Sequence, residues 1–124
     1  MTDPSRGTVM IVDDEMALVR VLAMHLEQEG YEVLTATNGP DALAQMRQRQ
    51  PQVVLLDAMM PGMSGLEVCR RVREDDHLSR AHVIVLTANA GFQETAREAG
   101  ADEFMTKPFH LHDLSQVVER MMGR

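Results

Sequence analysis

"VMIVDDEMAL", residues 9–18, decides how this chain folds. Four apolar residues, Val9 to Val12, run straight into three carboxylates, Asp13, Asp14 and Glu15, and then into a second apolar stretch. The apolar run predicts a buried strand, and the chain after Glu15 predicts a helix. Adjacent anions at the end of a core strand repel each other and resist desolvation. A strand that ends this way calls for a cation.

Working outward, the same strand-then-helix pattern recurs along the chain. Strands are expected at "TVMIV" (8–12), "YEVLTA" (31–36), "QVVLLD" (52–57), "HVIVLT" (82–87) and "EFMTK" (103–107). The first, third and fourth are nearly continuous in apolar residues, as strands covered on both faces should be. Helices are expected near 15–29, 39–49, 64–75, 91–99 and 110–122. Gly30 and Gly100 fall just past two helix ends, where a left-handed cap is wanted. In the last helix Leu111, Leu114, Val118 and Met121 or Met122 recur at helical spacing. This regular alternation implies an α/β fold, a (βα)5 doubly wound sheet of five parallel strands with right-handed crossovers. No repeat, linker or low-complexity tract divides residues 1–124, so a single domain is expected.

In a doubly wound sheet the ligand site lies beyond the C-terminal strand ends, where strand order reverses. Strand 1 ends in Asp13 and Asp14, strand 3 in Asp57, strand 4 in Thr87 and strand 5 in Lys107. For the flavodoxin-like order 2-1-3-4-5, strands 1 and 3 are neighbours, and three carboxylates converge on one crevice. A hard divalent cation, Mg²⁺ or Mn²⁺, resolves their repulsion. Asp14 and Asp57 would ligate it directly and Asp13 directly or through water. The loop "AMMPGMSG" (58–65) would add a backbone carbonyl, that of Met59. Lys107 and the Thr87 hydroxyl on the opposite side suit phosphate oxygens. Together these groups form a phosphoryl-transfer site with Asp57 as nucleophile.

The totals agree with such a protein. Nineteen acidic and twelve basic residues give a net charge of −7, which disfavours nucleic acid and anionic membranes as direct partners. Lys107 is the only lysine, so eleven of the twelve basic residues are arginine. One cysteine, Cys69, excludes an internal disulfide and suits a reducing compartment. "MTDPSRG" (1–7) has no cationic apolar signal segment, and no apolar run is long enough to span a bilayer. A cytoplasmic location is expected.

Four pieces in order, "VDDE" (12–15), "LLDAMMPGMSG" (55–65), "LTA" (86–88) and "GADEFMTKPF" (100–109), give the chain a close resemblance to the receiver domain of bacterial two-component response regulators. The resemblance covers about residues 7 to 122. It implies a signalling switch rather than an enzyme acting on a free substrate. Asp57 would accept a phosphoryl group from a phosphohistidine on a sensor histidine kinase or histidine phosphotransfer protein. Asp13 and Asp14 match the family's metal-binding acids, Thr87 its switch hydroxyl, Lys107 its invariant lysine and Phe104 the aromatic that swings inward with Thr87. It also implies a cis bond at Lys107–Pro108. The signal would leave through the face built from the fourth helix, fifth strand and fifth helix, to a downstream protein, from a monomer or a phosphorylation-dependent homodimer. Met59 and Asn89 lie where family members tune phosphoryl lifetime. Apolar Met59 cannot orient a water, so slow autodephosphorylation is expected.

Helix 1 carries more apolar surface than one core-facing stripe needs: from Met16 to Leu26 only Arg20 and His25 are not apolar. The surplus, Met16, Val19 and Ala23, is expected to dock the phosphodonor together with the loop at Pro108. Val19→Glu should then slow phosphotransfer without unfolding the chain.

Plainer readings stand beside these. Asp13 and Asp14 alone would cap the first helix, Thr87 alone would be a strand former, and Lys107 alone a solvated lysine. Only their common register lifts them. Cys69 is expected to pack, "RRVREDD" (70–76) to be a solvated helix end, and His77, His82, His110 and His112 to be exposed, since no ligand partners sit at zinc spacing. A haloacid dehalogenase-type phosphatase wants a second Asp where Met59 stands. A pseudo-receiver would have lost an acid or the lysine. A flavodoxin would want aromatic residues to stack on its flavin, and the chain has one Tyr and no Trp.

Overall fold

The computed structural model describes residues 6–123. Residues 1–5, and with them most of the N-terminal stretch read above for a signal segment, lie outside the described residues. The strands are β1 (Thr8–Val12), β2 (Glu32–Ala36), β3 (Val53–Asp57), β4 (His82–Thr87) and β5 (Glu103–Thr106). The helices are α1 (Met16–Gln28), α2 (Gly39–Arg49), α3 (Gly65–Glu74), α4 (Gln93–Glu98) and α5 (Leu111–Met122), with a short 3-10 turn, Ala90–Phe92, leading into α4. All strand pairs are parallel and the order is β2-β1-β3-β4-β5. The (βα)5 reading from sequence stands.

The central strands are apolar on both sides because both sides are covered. Met10, Val12, Val54, Leu56, Val83 and Val85 face α2, α3 and α4. Val9, Ile11, Val53, Leu55, Ile84 and Leu86 face α1 and α5. Alternation along each strand thus sends neighbours into opposite core layers. Gly30 and Gly100 adopt φ of +99° and +106° after their helices, as expected. Gln50 does the same after α2 at φ +46° without being glycine.

The surface of α1 differs from the sequence expectation. Val19 is 3% exposed and belongs to the core layer under α1, and Ala23 is half-buried against that layer. The exposed apolar residues of α1 are instead Met16, Val21 and Met24, at 48%, 51% and 61%. The helix turns Val19, Leu22 and Leu26 inward at i, i+3 and i+7. A helix this apolar has no sequence signal that tells its inner stripe from its outer one.

The stretch "RRVREDD" (70–76) also departs from its expected role as a solvated helix end. Arg73 is no solvated residue. Its guanidinium donates to Gly100 O (2.8 Å), Ser79 O (2.9 Å) and Ala81 O (2.6 Å), and pairs with Asp102 at 2.6 Å. Asp102 also accepts the Val83 N–H at 2.8 Å. One side chain thereby joins the end of α3 to the turns that open β4 and β5. Five planar donors and no acceptor suit arginine to a site made of carbonyls and one carboxylate.

Candidate functional site

The register of the sheet gathers the polar residues. Val12 pairs with Leu56, so Asp13 and Asp57 leave β1 and β3 side by side. Asp57 pairs with Leu86 and Thr87 with Thr106, which places Thr87 and Lys107 one step further along the same edge. The Lys107 N–H donates to Thr87 O at 2.8 Å, extending the β4–β5 ladder by one residue past the strand. The peptide Lys107–Pro108 is cis.

Asp13, Asp14 and Asp57 each offer a carboxylate oxygen within 4.8 Å of the others. Asp13 and Asp57 are buried and Asp14 is exposed. The capping reading of these acids falls short. Glu15 holds the N-cap position of α1 with no side-chain cap, and the first turn carries no acid. Asp13 instead accepts the Glu15 N–H on Oδ1 (2.9 Å) and the Lys107 ammonium on Oδ2 (2.7 Å). Lys107 also lies 3.5 Å from Asp57 Oδ1, which accepts the Met59 N–H at 3.4 Å.

The charges do not balance. Burial and then the Asp13 carboxylate push the Asp57 pKa up to about 6, against the pull of Lys107 and the Met59 N–H. Burial works against the Lys107 charge, but the hydrogen bond and charge of Asp13, aided by Asp57, hold its pKa above the usual lysine value. One ammonium therefore faces three carboxylates and leaves negative charge uncompensated. Hard oxygen donors in this number and spacing fit a small divalent cation. Asp13, Asp14 and Asp57 would hold it.

Thr87 is buried, and its hydroxyl accepts the Asn89 N–H at 3.2 Å. Asn89 in turn accepts the Gly91 N–H at 2.8 Å through its side chain, fixing the turn into α4. Phe104 sits apart from the acids. It is half-buried on β5 opposite Val85, against the layer beneath α4. Met59 is 58% exposed beside the crevice. Pro108 lines an apolar groove of about 500 Å³ with Leu18, Val21, Phe109 and Leu111.

One residue essential to this geometry escaped the sequence reading. A Cβ on Gly65 would lie 1.8 Å from the Asp57 carbonyl oxygen, so only glycine lets α3 start this close to the backbone of Asp57. The one available signal was a glycine at the first helical position after Ser64, which caps α3 by accepting the Glu67 N–H.

A family model described as the response regulator receiver domain matches residues 9–119. The chain belongs to that family. Among curated relatives, this receiver domain is 39% identical over 118 residues to the phosphate regulon transcriptional regulatory protein PhoB of Rhizobium meliloti, across 94% of this chain and 52% of that one. It is 43% identical over 102 residues to the response regulator PleD of Caulobacter vibrioides, across 81% of this chain and 22% of that one. The chain thus spans about half or less of the length of these relatives. A solved structure from Chloroflexus aurantiacus superposes with a TM-score of 0.91 at 31% identity, covering 95% and 98% of the two chains. The receiver domain of sensor histidine kinase PA1611 from Pseudomonas aeruginosa, solved with a magnesium ion coordinated in its active-site cleft, has a TM-score of 0.88 at 26% identity, covering 95% and 98%. Receiver domains are the phosphoacceptor domains of two-component response regulators and bind Mg²⁺ at an acidic pocket; the Asp13, Asp14 and Asp57 cluster of this one fits the phosphorylation site.

Proposed function

We propose that Asp57 is the phosphoacceptor and that this receiver domain passes on the signal by changing shape. The observation that carries the reading is the placement of the chain's only lysine within 2.7 Å of Asp13 and 3.5 Å of Asp57, at the mouth of a three-carboxylate cluster. An Asp57 carboxylate oxygen attacks phosphorus while the phosphorus–nitrogen bond to the donor histidine breaks, and the imidazole leaves with the electron pair. Mg²⁺ or Mn²⁺, held by Asp13, Asp14, Asp57 and the Met59 backbone carbonyl, would neutralise charge on the transferring oxygens. Lys107 exchanges its contact with Asp13 for a phosphoryl oxygen. The Thr87 hydroxyl donates to another, and in turning gives up the Asn89 N–H. That frees the turn into α4, and Phe104 beside α4 moves inward. The altered face of α4, β5 and α5 is what a downstream protein reads.

The donor is a sensor histidine kinase or histidine phosphotransfer protein, met on the exposed face of α1 and the groove at Pro108. With apolar Met59 beside the acceptor, the phosphorylated form decays slowly. The domain works in the cytoplasm without touching nucleic acid or membrane itself; among the described residues no helix is long and apolar enough to cross a membrane. Intact mass after incubation with acetyl phosphate tests the reading. One phosphoryl adduct that requires both Mg²⁺ and Asp57 supports it, and the same adduct on Asp57→Asn overturns it.

A further inference from the structure

The outward face of α1 has a polarity of its own. Met16, Ala17, Arg20, Val21, Met24 and Glu27 are all exposed. Among the described residues neither Arg20 nor Glu27 enters an ion pair. The two charges are seven residues apart, two turns along one side of the helix, about 10 Å along its axis. Between them lie Met24, 61% exposed, and at the flank Val21, 51% exposed. Beside this stripe runs a groove of about 260 Å³ lined by Arg20, Val21, Met24, His25, Gln28 and Leu111.

A stripe with a cation at one end, an anion at the other and apolar residues between is complementary to itself turned end for end. We infer that α1 pairs antiparallel with α1 of a second copy of this chain, Arg20 of each copy meeting Glu27 of the other. A two-fold axis midway between the charges, at Ala23 and Met24, satisfies both pairs at once, as an isologous contact requires. Met24 of each copy then enters the groove beside the other helix. Such a contact is smaller than a stable interface needs, so the dimer is weak and transient, with a Kd on the order of 100 µM. The dimer itself is independent of the phosphorylation chemistry. Its consequence rests on the donor-docking reading: Val21 lines both this groove and the one at Pro108, so a self-paired copy shields the face a phosphodonor would use.

Sedimentation equilibrium of the unphosphorylated chain at rising concentration tests the pairing. The wild type is expected to be a monomer–dimer mixture, and Arg20→Glu and Glu27→Arg each to be monomeric. Mixing the two single variants should restore a dimer, because one then presents two anions and the other two cations. The double variant should also restore it. A wild type that stays monomeric up to ~1 mM, well above that expected Kd, would overturn the inference and leave the face to another partner. So would a dimer that neither single variant weakens, or single variants that fail to associate on mixing.

Discussion

At the scale of single residues, the site trades stability for chemistry. The raised pKa of Asp57 means that the folded chain holds this proton more tightly than the unfolded chain does. Its contribution to stability is therefore fully present below about pH 4 and lost as pH rises through about 6. In the metal-free protein at pH 7, Asp57→Asn should unfold later than wild type, by about 1–3 kcal/mol. Below pH 4 the gap should close. Chemical denaturation across pH in EDTA measures this, and a variant less stable than wild type at pH 7 would contradict the charge imbalance. Adding Mg²⁺ should raise the wild-type midpoint more than that of the variant, since only the wild type has all three carboxylates to neutralise. The clustering of Asp13, Asp14 and Asp57 was legible in the sequence because they lie at the ends of β1 and β3, and strand ends on one edge of a parallel sheet must converge. Gly65 was not, because its necessity comes from a backbone approach across the loop that spacing does not reveal.

At the scale of elements, helix 1 marks the limit of sequence reading and Arg73 another. All ten elements of the strand–helix alternation, α1 included, could be placed from apolar runs and glycine caps, with ends shifted by a residue or two and a 3-10 turn in front of α4. Periodicity fixes a face only when polar residues mark the opposite one. In α1 they are too few, and so Val19 passed for surface. The structure changes the test accordingly. Val21→Glu should slow phosphotransfer from the donor at least about tenfold while staying within ~0.5 kcal/mol of wild-type stability. Val19→Glu buries a carboxylate in the core and should cost more than about 4 kcal/mol. Thermal melts beside a transfer time course separate the two; equal transfer rates for Val21→Glu and wild type would remove α1 from donor docking. Arg73 was misread because an arginine at a helix end is usually solvated, and only the fold brings Gly100, Ser79, Ala81 and Asp102 around it. Arg73→Ala leaves those acceptors bare and should lower stability by about 2–4 kcal/mol, read as a shifted urea midpoint, with the adduct on Asp57 still forming. A midpoint unchanged from wild type would show the network to be ornamental.

At the scale of the whole molecule, one edge of the sheet carries the chemistry and the helices around it carry its consequences. In the proposed switch Asp57 at the end of β3 receives the phosphoryl group beside the acids that follow β1, while Thr87 and Lys107 on the β4–β5 side sense it. The sensing side is also where α4 is short and the turn before it is held by Asn89. A switch built this way needs no cavity for a substrate, only a charged crevice and a neighbouring element with a second arrangement. The account stands or falls on which carboxylate is phosphorylated. Borohydride reduces an aspartyl phosphate to homoserine, so trapping the acetyl phosphate-treated protein and mapping its peptides locates the modified residue directly. The account predicts homoserine at position 57 alone, and only when Mg²⁺ was present; homoserine at position 13 or 14, or at 57 without the metal, would contradict it.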